Sequence, residues 1–186
     1  VIPNRDILNN TITENSFAVG FNAVINGDRT SENIYIDPKK FFALTHMTKN
    51  LQGIISHALL RVWRGEGSPL LVLDTTFGGG KTHTLVALYH LFKHPSIAEQ
   101  DLEIRKILAE KDLRSVPNVA LVAIDGHSLS SVQREGEVRT IWGEMARQLG
   151  KYEMMEVYDQ SLRRPDYKAL QQLFLSVGKP VVILLD

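Results

Sequence analysis

A triple glycine followed by Lys-Thr constrains this chain more than any other feature: Gly78-Gly79-Gly80-Lys81-Thr82. Ahead of it lies an apolar run, Leu70 to Leu73, which reads as a short buried strand. After it, Leu85, Leu88, Tyr89 and Phe92 fall at helical spacing. Strand, glycine turn, Lys-Thr and helix together make the layout of a phosphate-binding P-loop. Backbone N–H groups in such a turn form an anion nest, and the helix N-terminus adds partial positive charge. Glycines let the backbone approach phosphate oxygens without a Cβ clash. On this reading Phe77, Gly78, Gly79, Gly80, Lys81, Thr82 and His83 hold the nucleotide. Lys81 reaches the β- and γ-phosphates as a catalytic cation, and the Thr82 hydroxyl ligates Mg²⁺. The motif departs from G-x-x-x-x-G-K-[ST] at its first glycine, where Thr75 stands. An ordinary strand-to-helix turn is the plainer reading of the same residues.

The second half of such a site is a carboxylate at the end of a strand. Val181 to Leu185 is an apolar run ending at Asp186, the form of a Walker B strand. Its carboxylate falls at the C-terminal edge of a sheet, where open α/β folds bind ligands. Asp186 is therefore expected to be catalytic and to hold Mg²⁺, with Mg-ATP as the cofactor. In many ATPases a glutamate follows this aspartate and polarises the attacking water. The sequence stops at Asp186, so that base is expected in a missing remainder, and ATP hydrolysis by this chain alone is left open. No N-K-x-D guanine-reading motif is present, which favours adenine.

The remaining candidates carry less. Asp125 and His127 follow another apolar run, Val119 to Ile124, at the same sheet edge, but such residues more often cap the next loop. Arg139, Arg147, Arg163 and Arg164 are candidate phosphate sensors, with a solvated charged face as the plainer account. Trp142 lies on an apolar stripe and reads as core. Thr45 to Asn50 is a candidate border for the adenine.

Between these landmarks, helical and strand patterns alternate. Asp37-Pro38 marks a helix start, Thr48 to Arg64 a long amphipathic helix, and Leu102, Ile104, Ile107 and Leu108 another. Val138 to Leu149 and Asp166 to Val177 complete the set, closed by Gly150 and Gly178. Ile34 to Ile36 reads as extended, and Phe17 to Ile25 fits strand or helix. The pattern predicts an α/β P-loop NTPase: a three-layer sandwich on a mostly parallel sheet, incomplete at the C-terminus. Residues 1–33 are expected to be an arm and 34–186 the ATPase domain, truncated after the Walker B strand.

Composition sets the outer limits. The chain has 186 residues, 44% of them hydrophobic, enough for one core. Basic and acidic residues number 21 each, so nothing pulls the whole chain toward nucleic acid or an anionic membrane. There is no cysteine, which excludes disulfides, thiolate metal sites and a cysteine nucleophile, and suits a cytoplasmic setting. No apolar stretch reaches membrane-spanning length, so no membrane partner is expected.

The pieces IDPKKFFALTHMTKNL, LDTTFGGGKTHTLVALYHL, VAIDGHSL, RTIWGEMARQLG and PVVILLD resemble domain-of-unknown-function family 499, predicted P-loop ATPases. The resemblance covers most of the chain from Tyr35 onward, and it makes Thr75 a family-like variation. It implies an AAA+-like, additional-strand ATPase that is much longer in full and a candidate homo-oligomer. It also implies DNA or DNA-modification and phage-defence proteins as partners, with hydrolysis driving remodelling. In that group another strand lies between the P-loop strand and the Walker B strand. A gap or an exposed edge is then expected between Leu70–Leu73 and Val181–Leu185, and direct pairing of the two would count against the group. A regulatory nucleotide switch with little turnover and a P-loop kinase remain as alternatives, although no lid or acceptor signature is present for a kinase.

Overall fold

The computed structural model describes residues 20–27, 34–74, 80–126 and 138–186. Thr75, Phe77, Gly78, Gly79, His127 and the sequence up to residue 19 lie outside them.

Several helices begin at a residue whose side chain caps them. Helix α1 spans Phe21–Asn26, so the described part of the ambiguous Phe17 to Ile25 stretch is helical. Helix α2, Pro38–Leu44, has Asp37 as its N-cap, accepting from the Lys39 and Lys40 N–H groups at 2.8 and 3.3 Å. Helix α3, Lys49–Arg64, is capped by Thr48 and stopped by Gly65 in the left-handed region. Helix α4, Lys81–Lys93, starts after Gly80, whose φ of 77° suits glycine. Pro95 breaks it, and short α5, Pro95–Ala98, and α6, Leu102–Glu110, follow. Strand β1 is Ala120–Ile124. Helix α7 is Ile141–Gln148, followed by a 3-10 turn at Tyr152–Met154, α8 at Glu156–Gln160 and α9 at Tyr167–Leu175. Strand β2, Val181–Leu185, ends the described chain.

Strands β1 and β2 pair in parallel, with Ala120 opposite Val181 and Ile124 opposite Leu185. Among the described residues they form one two-stranded sheet. The class is therefore mixed α/β. The expected three-layer sandwich is not what the described residues contain. Side chains alternate faces along a strand. Leu121 and Ala123 of β1, with Val182 and Leu184 of β2, join the main core built on α1 to α4 and α6. Val122 and Ile124 are also buried, on the other face, so β1 is covered on both sides. A second cluster joins Ala146, Met155 and Leu173 to Trp142, Leu149 and Phe174. Phe21 and Val24 are buried in the main core, although they precede residue 34.

Two local expectations are corrected. Leu70 to Leu73 is irregular backbone rather than a buried strand. Leu70 is 71% exposed and Val72 76%. A strand needs a ladder partner for its N–H and C=O groups, and no strand neighbours this segment among the described residues. Ile34 to Ile36 is a turn, not an extended piece. Strand β2 is also less buried than its composition suggests, with Ile183 and Leu185 at 37% and 53% exposure.

Candidate functional site

The site sits where α4 begins and the two strands end. The glycine before Lys81 lets the chain turn sharply into α4, and the first helical turn presents Lys81, Thr82 and His83. The Thr84 hydroxyl donates back to the Gly80 carbonyl at 2.9 Å, which fixes that first turn. Across from it, the parallel ladder carries β2 to Asp186. The Asp186 N–H donates to the Ile124 carbonyl at 3.0 Å, and the Gly126 N–H donates to the Asp186 carbonyl at 3.0 Å. Asp186 is thus held by backbone on both sides, and its side chain is left to face α4. There the Thr82 hydroxyl donates to Asp186 Oδ2 at 3.1 Å. Residues separated by 104 positions in sequence meet at one pair of oxygens.

Lys81 and Asp186 also line a common cavity of about 550 Å³. It opens between Leu70–Leu73 and β2, and Leu85, Leu88 and Phe92 of α4 form part of its wall. Leu70–Leu73 and β2 therefore do not pair, and space separates them.

His83 points away from solvent. Its ring lies 5.0 Å from Phe41 and 5.6 Å from Tyr35, centre to centre. Burial lowers its pKa, so the ring is neutral at pH 7. One helical stretch further, His90 is buried, its Nε2 2.7 Å from the Tyr35 carbonyl oxygen. Burial pushes its pKa down to about 4, with the Tyr35 hydrogen bond acting in the opposite direction. The two histidines and their aromatic neighbours tie α2 to α4 and so steady the start of α4.

Asp125 is buried at the end of β1, next to Asp186 along the sheet edge. Its Oδ2 accepts the Asn22 N–H at 3.0 Å. That bond caps α1, whose own N-cap residue Gly20 offers no side-chain acceptor. The described geometry thus gives Asp125 a structural task at α1; the plainer reading, a cap on the following loop, falls on residues outside those described. Asn22 could not be found from the sequence, since a backbone donor 103 positions away leaves no local pattern.

Of the arginine candidates, Arg139 is held by its backbone N–H, which donates to both carboxylate oxygens of Asp159 at 3.0 and 3.2 Å, while its buried Nε has no partner among the described residues. Arg147 Nε donates to Glu144 Oε2 at 2.7 Å. Arg163 and Arg164 are exposed. Trp142 packs in the second cluster, as its stripe predicted. Met47 is buried and Thr48 caps α3, which gives the Thr45 to Asn50 segment a structural role. No group of three or more metal-ligating His, Asp or Glu side chains occurs among the described residues. Nor is any helix there long and apolar enough to cross a membrane.

The sequence matches the DUF499 N-terminal domain over residues 4–186. The chain belongs to the DUF499 family. No curated protein and no solved structure matches it. What the DUF499 chain does must accordingly be argued from its own residues.

Proposed function

We propose that this DUF499 domain binds Mg-ATP, with Lys81 and Thr82 on the phosphate side and Asp186 on the metal side. The observation that carries the reading is the 3.1 Å hydrogen bond between Thr82 and Asp186. A hydroxyl and a carboxylate are hard oxygen donors of the kind Mg²⁺ takes, and Mg²⁺ keeps waters that a carboxylate can accept from. The donor set therefore fits the ion. The positive φ of Gly80 and the N-terminus of α4 supply the turn and the partial charge that favour an anion beside Lys81. When bound, Mg²⁺ would neutralise charge between the β- and γ-phosphates. The protein's own contribution is to fix Thr82 through the first turn of α4 and Asp186 through the ladder to β1.

Because Leu70–Leu73 forms no strand among the described residues, placement in the additional-strand group rests on the family resemblance. The wider reading, hydrolysis coupled to remodelling of DNA-associated or defence complexes, rests on the family resemblance alone. DNA-stimulated ATP turnover by the full-length protein is its test.

The binding reading is tested by titrating a fluorescent ATP analogue with and without Mg²⁺. Lys81→Ala should weaken binding by about tenfold or more, the scale of losing a charge-assisted phosphate contact. Asp186→Ala should leave metal-free binding intact and remove the gain from Mg²⁺. Unchanged affinity in Lys81→Ala would defeat the proposal.

A further inference from the structure

Another cavity lies at the other end of the sheet. It measures about 650 Å³, within the range of small-molecule pockets. Helix α4 runs 13 residues from Lys81 to Lys93, about 20 Å at 1.5 Å per residue, and Lys93 lines this far pocket. Lys179, just before β2, and Lys151, just after α7, line it as well. No carboxylate lines it among the described residues; Glu99 and Glu144 lie one step behind the wall, accepting from the Val116 N–H and Gln148 Nε2 at 2.7 and 2.8 Å. None of the three lysines takes part in an ion pair among the described residues.

The uncharged polar side chains on the wall reinforce the same sign. Asn118 accepts from Lys179 Nζ at 3.3 Å through its oxygen, which leaves its amide N–H groups as donors. The Gln148 amide has both ends engaged with the Ala123 backbone, at 2.8 and 2.9 Å. Apolar side chains, Phe92, Val119 and Leu149 among them, complete the wall. Three lysines and the Asn118 amide thus line one pocket beside apolar side chains, a lining that suits an anion carrying an apolar part.

We propose that this pocket is a second anion site, taking a small phosphorylated organic molecule with its phosphate on Lys93, Lys151 and Lys179. The site is separate from the Thr82–Asp186 edge and does not depend on the nucleotide reading. Lysine binds phosphate as a point charge, so three of them around one pocket can share a divalent or multivalent anion. The competing account is that the lysines neutralise the C-terminal carbonyls of α4, α7 and α9, which end close to the pocket.

The test is a site-resolved NMR titration of the ¹⁵N-labelled chain with pyrophosphate, against sodium chloride at matched ionic strength. Amides of Lys93, Asn118, Lys151 and Lys179 should shift saturably with pyrophosphate and not with chloride. A Lys93→Gln, Lys151→Gln, Lys179→Gln triple variant should weaken those shifts by about tenfold while leaving shifts at Lys81 to His83 unchanged. Binding at Lys81 to His83 is read from its own amides, so failure of the nucleotide reading would leave this result intact. Should the triple variant fail to fold, Lys93→Gln and Lys179→Gln singly, both at exposed positions, should each weaken the shifts. Shifts that chloride reproduces, or that survive neutralisation, would overturn the proposal. So would a loss of thermal stability in the variants with no pyrophosphate response in the wild type, the result expected if the lysines serve the helix ends alone.

Discussion

Asp159 is fully buried, and its carboxyl group accepts hydrogen bonds from three groups. It accepts from the Arg139 N–H, the Thr140 hydroxyl and the Tyr152 hydroxyl, and it crowds Gly143. A Cβ at position 143 would overlap the Asp159 carboxylate and come within 2.9 Å of Val138. Gly143→Ala should therefore destabilise the fold by about 2 kcal/mol, despite the better helix propensity of alanine, as chemical denaturation would show. His90 gives a pH prediction. Its folded pKa of about 4 lies below the ordinary 6.5, so the unfolded chain takes up the proton first. Stability is then full above pH 6.5 and falls as pH drops toward 4. The loss from this one group is on the order of 3 kcal/mol, at 1.36 kcal/mol per pKa unit. His83 and His94, both lowered by burial, push the same way. Urea midpoints between pH 7 and 4.5 would measure the slope, and His90→Phe should flatten part of it.

At the scale of elements, the sequence is most legible where the signal is local. Asp37, Thr48 and Asp166 each precede a helix and each accepts a backbone N–H of its first turn. Thr48→Ala should cost about 1 kcal/mol in thermal or urea unfolding, the usual value of an N-cap. Long amphipathic stripes such as Leu51, Ile55 and Leu59 show their period because many turns repeat it. Helices α5 and α8 leave no such trace, because four or five residues are too few to establish one. Leu70 to Leu73 fails for a different reason. Its composition suits a strand, but a strand exists only with a neighbour, and neighbours are set by the whole fold. The site divides along the same line. Lys81, Thr82 and Asp186 were readable from motif spacing, whereas the Asp125 bond to Asn22 and the Tyr35 bond to His90 are tertiary contacts with no local pattern.

At the scale of the molecule there is one large core, which takes in Leu121 and Ala123 of β1, and one small one around Ala146, Met155 and Leu173. Leu59 is fully buried in the large core, and Leu59→Ala should cost about 2–5 kcal/mol in unfolding free energy. The two edges of the sheet are unlike. On the side of β1 away from β2, the Gln148 amide bonds both the N–H and the C=O of Ala123, as a neighbouring peptide would. On the far side of β2 no strand follows among the described residues. The Gln148 amide thus stands in for a strand at Ala123. Gln148→Ala leaves that N–H and C=O without this partner and should cost about 1–3 kcal/mol in urea unfolding, a peptide group's worth of desolvation concentrated at one point of the sheet.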